Sequence, residues 1–169
     1  MRYHNITHAD MVNGEGLRTV LWVAGCSHKC KGCHNPTTWN PNGGIEFDKE
    51  AIDEIELSLM NNDIKGITYS GGDPMHENNV YTLILLSRAL KKKFPNKDIW
   101  LYTGYTYEEI LNGDNEDRKE LLSLVDVLVD GKFEESLADK QYQWAGSTNQ
   151  RIIDVKKSLS TGGVVLYNK

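Results

Sequence analysis

Three cysteines stand within eight residues, in the run Gly25-Cys-Ser-His-Lys-Cys-Lys-Gly-Cys-His-Asn35, and they are all the thiols the chain has. The C-x3-C-x2-C spacing of Cys26, Cys30 and Cys33 places three thiolates on one short loop. Three thiolates can hold three corners of a four-iron cluster and leave the fourth iron open. An open iron can take a ligand, whereas a cluster closed by four cysteines only passes electrons. Other uses of the loop fit less well. A structural zinc site with His28 or His34 as fourth ligand would normally draw on a second, distant ligand pair, and no distant cysteine exists. A dithiol redox pair at Cys30-Lys-Gly-Cys33 leaves Cys26 idle. Inert, buried cysteines do not fit the polar flanks Ser27, His28, Lys29 and Lys31.

Such a loop needs elements to hold it. An apolar run, Thr19–Ala24, reads as a strand leading directly into it. A helix is expected from about Asp48 to Met60, with Asp48 as N-cap and Ile52, Ile55 and Leu59 at helical spacing. Strand Gly66–Ser70 follows, then a helix from about Asn78 to Phe94, ended by Pro95-Asn96. Strand Asp98–Tyr102, short helices near Thr106–Leu111 and Glu116–Leu124, and strand Val125–Val129 come next. Gln150–Asp154 reads as a fifth strand, and Val164–Leu166 as a sixth or an edge. This β-α-β-α order implies an α/β fold with a parallel sheet, in one domain spanning 1–169. Glycines recur after strand ends, at Gly25, Gly71, Gly72, Gly104 and Gly131. Ligands of parallel α/β folds gather at the carboxyl ends of strands, so these glycines point to one shared pocket with the cysteine loop as a wall.

Composition narrows the partners. Net charge is −5, which argues against a broad nucleic-acid footprint. The basic run Lys91-Lys92-Lys93 falls late in a helix, where cations suit the dipole. No apolar run approaches the roughly 20 residues that span a bilayer, and Met1–His8 lacks a signal-peptide core. A cytoplasmic protein is expected. His4, His8 and His76 have no spacing partner and read as surface or locally bonded residues. Trp22, Trp100 and Val129 fall inside strands and read as core. Trp39 and Trp144 lie in loops, open to packing or partner roles, and Asn149, Gln150 and Arg151 could shape a site or a partner surface.

The cysteine spacing at the end of a first strand resembles the radical S-adenosylmethionine family. The stretch Gly14-Glu-Gly16-Leu-Arg18-Thr-Val-Leu-Trp22-Val-Ala-Gly25-Cys26, continuing to Cys33-His34-Asn35, is similar to the signature of its glycyl-radical-activating enzymes, with Trp22 where phenylalanine is usual. The short length, Cys26–Cys33 and the run Gly146–Asp154 are similar to the activators of anaerobic ribonucleoside-triphosphate reductase.

That resemblance implies a partial (βα)6 barrel, a [4Fe-4S] cluster on Cys26, Cys30 and Cys33, and S-adenosylmethionine on the open iron. It implies cofactor contacts at Gly71, Gly72 and Asp73, where the family has Gly-Gly-Glu-Pro and this chain has Gly-Gly-Asp-Pro. Asp73 is one methylene shorter than glutamate, so backbone carbonyls are expected to carry that contact. Further contacts are implied at His34, Thr103, Asp130 and Lys132. Gly32 stands where the family often has an adenine-facing aromatic. The implied partners are the large subunit of anaerobic ribonucleoside-triphosphate reductase and a one-electron reductant, flavodoxin-like or similar. Activation of another glycyl-radical enzyme, such as pyruvate formate-lyase, and a non-catalytic zinc-binding module are the alternatives.

Overall fold

A computed structural model describes residues 1–168. Its centre is one sheet of seven strands, in the order β3-β1-β2-β4-β5-β6-β7. The strands are β1 (Arg2–Asp10), β2 (Leu17–Val23), β3 (Ile45–Glu46), β4 (Ile64–Gly71), β5 (Asp98–Tyr102), β6 (Val127–Asp130) and β7 (Arg151–Asp154). The helices are α1 (Lys49–Leu59), α2 (Glu77–Lys93), α3 (Tyr107–Asn112), α4 (Glu116–Leu124) and α5 (Val155–Thr161).

The four inner strands β2, β4, β5 and β6 are parallel, while β1, β3 and β7 pair antiparallel. The sheet is therefore mixed, and among the described residues it does not close into a barrel. Strand direction follows from the connections. A parallel return needs a crossover, which α1, α2 and the α3–α4 pair supply. Residues 131–150 contain only one 3₁₀ turn, Glu135–Leu137, and β7 comes back antiparallel. Val164–Leu166 makes a bridge, Leu166 opposite Ile153, rather than a sixth strand. Strand β1, with only Tyr3 and Ile6 buried among nine residues, has too few apolar positions to announce itself.

Alternation along the strands sends two sets of side chains to opposite faces. Leu21, Val23, Ile67, Tyr69, Ile99, Leu101 and Leu128 pack with Ile55, Leu59, Leu83, Leu90, Leu121 and Leu122 of the helices in the main core. The other face carries Trp100, Val127 and Val129, flanked in the sheet by Ile152 and covered by Trp144 and Tyr167. Capping sets the helix starts. Asp48 accepts from the Ala51 N–H at α1, and Thr106 and Glu109 form a reciprocal capping box at α3. Lys91, Lys92 and Lys93 occupy the last turn of α2, as expected.

Two charges, the buried Arg18 and the half-buried Asp126, tie the elements together. The Arg18 side chain is fully buried, and donates to Thr68 Oγ1 (2.7 Å), the Glu15 and Ile67 carbonyls (3.0 and 2.9 Å) and Asp98 Oδ1 (2.5 Å). A Cβ on Gly14 would lie 2.7 Å from Arg18 Cδ, so Gly14 leaves room for this arginine. The Gly14-Glu-Gly16-Leu-Arg18 motif thus builds the base of the sheet. Asp126 joins α2, β5 and α5, accepting from Lys91 Nζ (3.1 Å), the Ile99 N–H (2.9 Å) and Lys156 Nζ (2.7 Å).

Removing Arg18 strands Asp98 and two carbonyls. Arg18→Met should cost about 3–5 kcal/mol, read from urea unfolding. Burial alone would raise the Asp126 carboxyl, but its bonds from Lys156, the Ile99 N–H and Lys91 hold it below the usual carboxylate range. A depressed carboxyl contributes stability above its unfolded pKa and loses it as pH falls through the folded value. The stability gap between wild type and Asp126→Asn should therefore be widest near neutral pH and close under acid, in thermal melts across a pH series.

Candidate functional site

The cysteine loop begins where β2 ends. Gly25 adopts φ +104° and turns the chain out of the sheet. The Gly25 and Cys26 N–H groups donate to the carbonyls of Thr38 and Trp39 (2.7 and 3.1 Å), which closes residues 26–37 into a loop. Asn79 of α2 donates from Nδ2 to the carbonyls of Ala24 and Asp73, both at 2.9 Å, and holds the ends of β2 and β4 together. These ends touch through glycine. A Cβ on Gly72 would lie 2.5 Å from the Gly25 carbonyl oxygen, and one on Gly71 would lie 2.8 Å from the Val23 backbone. Gly72 N–H donates to Val23 (2.8 Å) and Asp73 N–H to Gly25 (2.7 Å).

All three cysteines are free and half-buried, and line one cavity of about 1050 Å³. The cavity runs from the strand ends onto the sheet face that lacks helices, past Trp22, Ser70 and Tyr102. Its far side is residues 138–146, clamped by Gln150. Gln150 Oε1 accepts from the Gly146 and Ser147 N–H groups (2.9 and 3.2 Å), and its Nε2 donates to the Gly131 carbonyl (2.9 Å). Burial pushes the Cys26 thiol pKa up, and the neighbouring backbone N–H groups of His28 and Lys29 act the other way. Asn35 N–H donates to Cys33 Sγ at 3.4 Å.

The structure brings Gly71, Gly72, Asp73, Thr103 and His34 to this cavity. The Asp73 side chain, however, is 2% exposed and fully engaged. It accepts from Met75 N–H (2.8 Å), Thr103 Oγ1 (2.9 and 3.0 Å), His28 Nε2 (2.6 Å) and Gly104 N–H (3.2 Å). Thr103 is in turn committed to Asp73. Asp130 and Lys132 do not reach the cavity. Asp130 is buried, accepting from Arg151 (3.0 and 2.5 Å) and the Tyr107 N–H (2.8 Å). Lys132 is exposed, between the cavity-lining Gly131 and Phe133. Residue types after a strand do not reveal which way each side chain turns.

Several cavity residues lay outside the sequence-based set. Phe133 packs against His34, with ring centroids 5.1 Å apart. Its signal was an aromatic two residues beyond the β6 glycine. Gly32 has φ +72°, and a Cβ there would lie 2.9 Å from Glu135 Oε1, so no aromatic can take its place without rearrangement. Trp22, expected in the core, is a half-buried cavity residue donating to Thr7 Oγ1 (2.7 Å). Trp144 stands at φ +64° against Trp100, centroids 5.1 Å apart, and its carbonyl accepts from Tyr102 (2.8 Å). Trp39 lines the cavity, and its buried indole N–H has no hydrogen-bond partner among the described residues. Of the isolated histidines, His8 bonds Glu54 (2.8 Å) and His76 caps α2.

The donor set fits an iron–sulfur cluster: three free thiols on one wall of one cavity, with the Asn35 N–H turned to one of the sulfurs. Among the described residues, no group of three His, Cys, Asp or Glu side chains is arranged to hold a metal ion. Ligands of a single zinc converge to within roughly 4 Å of one another, closer than thiolates on separate irons of a cluster.

An open α/β sheet with a lone three-cysteine loop at its strand ends defines a single-cluster iron–sulfur domain, and the family model of a 4Fe-4S single cluster domain matches residues 12–153. The chain is 44% identical over 154 residues to the anaerobic ribonucleoside-triphosphate reductase-activating protein of Vibrio cholerae, covering 90% of this chain and 97% of that one. It is 43% identical over 152 residues to the proteins of that name from Enterobacteria phage T4 and Escherichia coli K12, covering 90% and 89% of this chain and 93% and 96% of theirs. The chain belongs to the family of anaerobic ribonucleoside-triphosphate reductase-activating proteins. No helix among the described residues is long and apolar enough to cross a membrane.

The strand-end contact gives a direct test. Gly72→Ala must push Gly25, and with it Cys26, outward, at a cost of about 1–3 kcal/mol. Gly163→Ala, whose Cβ meets nothing within 4 Å, is the control. Thermal melts should separate the two, with reduced iron uptake for Gly72→Ala only.

Proposed function

We propose that this chain is a radical S-adenosylmethionine enzyme that installs a glycyl radical on the large subunit of anaerobic ribonucleoside-triphosphate reductase. The observation carrying this reading is that three free thiols and the Gly71-Gly72 strand end face one cavity. It is supported by relatives that match nine-tenths of the chain and are named activating proteins of that reductase.

Cys26, Cys30 and Cys33 would hold the [4Fe-4S] cluster, leaving one iron without a protein ligand. When bound, the cluster and S-adenosylmethionine supply one-electron reductive cleavage of a sulfonium carbon–sulfur bond, giving methionine and 5′-deoxyadenosine and leaving a glycyl radical on the partner. The chain's own part is to place and shield. Gly71 and Gly72 bring the β4 backbone close to the cysteine loop, where any side chain would intrude. His34 and Phe133 offer a paired aromatic edge for a planar base, the role that Gly32 cannot fill. Trp22, Tyr102 and Trp144 make the sheet face apolar enough to exclude water from the reacting centre.

The open, mixed sheet is read as a shortened relative of the (βα)6 barrel. Its unclosed side leaves a path for a partner's glycine loop. A cytoplasmic location and a flavodoxin-like one-electron donor suit a low-potential cluster.

The test is anaerobic reconstitution followed by reduction with S-adenosylmethionine. Wild type should form 5′-deoxyadenosine, and Cys30→Ala should lose at least 100-fold. Adding the reductase large subunit should give a glycyl-radical signal by electron paramagnetic resonance. A colourless zinc protein, or a signal with pyruvate formate-lyase alone, would overturn the assignment.

A further inference from the structure

His28 lies between two of the cysteines, in a loop whose other polar side chains (Ser27, Lys29 and Lys31) are exposed. Its own side chain is only 8% exposed. The imidazole is turned inward to a fitted seat. Nε2 sits 2.6 Å from Asp73 Oδ2, and the ring meets Tyr105 edge-on at 4.5 Å. Gly104 leaves the space it needs, because a Cβ there would lie 2.4 Å from His28 Cδ2. Tyr105 is itself held, with the Arg118 guanidinium 4.0 Å over its ring and Arg118 Nη2 donating to its hydroxyl at 2.8 Å. Arg118 also donates to the Met75 carbonyl (2.8 Å), which fixes α4 against the turn that carries Asp73.

The seat has a consequence for the loop. Lys29 is held at φ +50°, a left-handed conformation that non-glycine residues adopt at a cost. With His28 anchored and Lys29 so turned, the backbone between Cys26 and Cys30 is held in one conformation beside Cys26. It also has a consequence for Asp73. A carboxylate offers about four acceptor positions, and Met75, Thr103, His28 and Gly104 take them.

We propose that His28 is a positioning residue whose bond to Asp73 braces the cysteine loop and keeps the His28 and Lys29 backbone beside Cys26, so that Asp73 serves the loop and not the cofactor's amine. This rests on the cluster assignment made above. Hydrogen bonds to a cluster's cysteine sulfurs stabilise its reduced, more negative form and so raise its potential. Releasing the brace should lower the potential and expose the cluster to loss.

The experiment compares reconstituted wild type, His28→Phe and His28→Gln. Phenylalanine keeps a ring against Tyr105 and cannot bond Asp73; glutamine can donate to Asp73 from Nε2. Midpoint potentials come from redox titration followed by electron paramagnetic resonance, and cluster loss from iron release to a chelator. The expected result is a more negative potential and at least threefold faster iron release for His28→Phe, with His28→Gln restored to near wild type. Equal potentials and release rates in all three, or glutamine as damaging as phenylalanine, would overturn the proposal while leaving the cluster assignment standing. A wild type that takes up no cluster would overturn that assignment instead. If His28→Phe does not fold, amide hydrogen exchange on wild-type apoprotein decides. Protection of the His28 and Lys29 amides to within tenfold of β4 supports the brace, and free-peptide exchange rates overturn it.

Discussion

A buried carboxylate must have every oxygen satisfied, and Asp73 meets that requirement by reaching three parts of the chain at once. It bonds the turn that starts α2, the end of β5 and the cysteine loop. The residues around it are chosen for that convergence. Gly71 and Gly72 let β4 approach β2 at backbone distance, Gly104 makes room for His28, and Asn79 ties the Ala24 and Asp73 carbonyls. The thiols are therefore presented from the meeting point of three parallel strands rather than from a free loop.

The same sheet divides the labour between its faces. One face is packed by helices and supplies the main core. The other holds Trp100, Val127, Val129 and Ile152 beneath a cover of Trp144 and Tyr167, and the cavity opens beside them. Antiparallel strands at both sides leave the sheet open, unlike a closed barrel. Arg18 and Asp98 brace the opposite ends of β2 and β5, away from the thiols. A motif that reads as part of a catalytic signature thus divides into a structural half, Gly14 to Arg18, and a chemical half from Cys26 onward.

Much of this was legible in the sequence, for identifiable reasons. Strands β4, β5 and β6 and helices α1, α2 and α4 carry strong periodicity or caps, and Asp98–Tyr102 and Glu116–Leu124 match residue for residue. The glycines after strand ends marked the cavity because its geometry depends on missing side chains. Strand β1 was hidden by its polar composition, and the direction of β7 by the absence of any local signal for pairing sense. Asp130 and Lys132 stand outside the cavity lining, which a residue's type after a strand cannot reveal; Arg151, far along the chain, claims Asp130. Phe133 was missed because it reaches the cavity only once β6 and the cysteine loop are side by side.

The central claim is that three thiols carry the cluster while the carboxylate beside them belongs to the protein's own framework. A crystal structure of the reconstituted protein with S-adenosylmethionine, grown without oxygen, tests it most directly. Three irons on Cys26, Cys30 and Cys33, one iron on the cofactor, and Asp73 still bonded to His28 and Thr103 are the expected result. An Asp73 carboxylate swung onto the cofactor's amine, or a fourth protein ligand on the cluster, would contradict it.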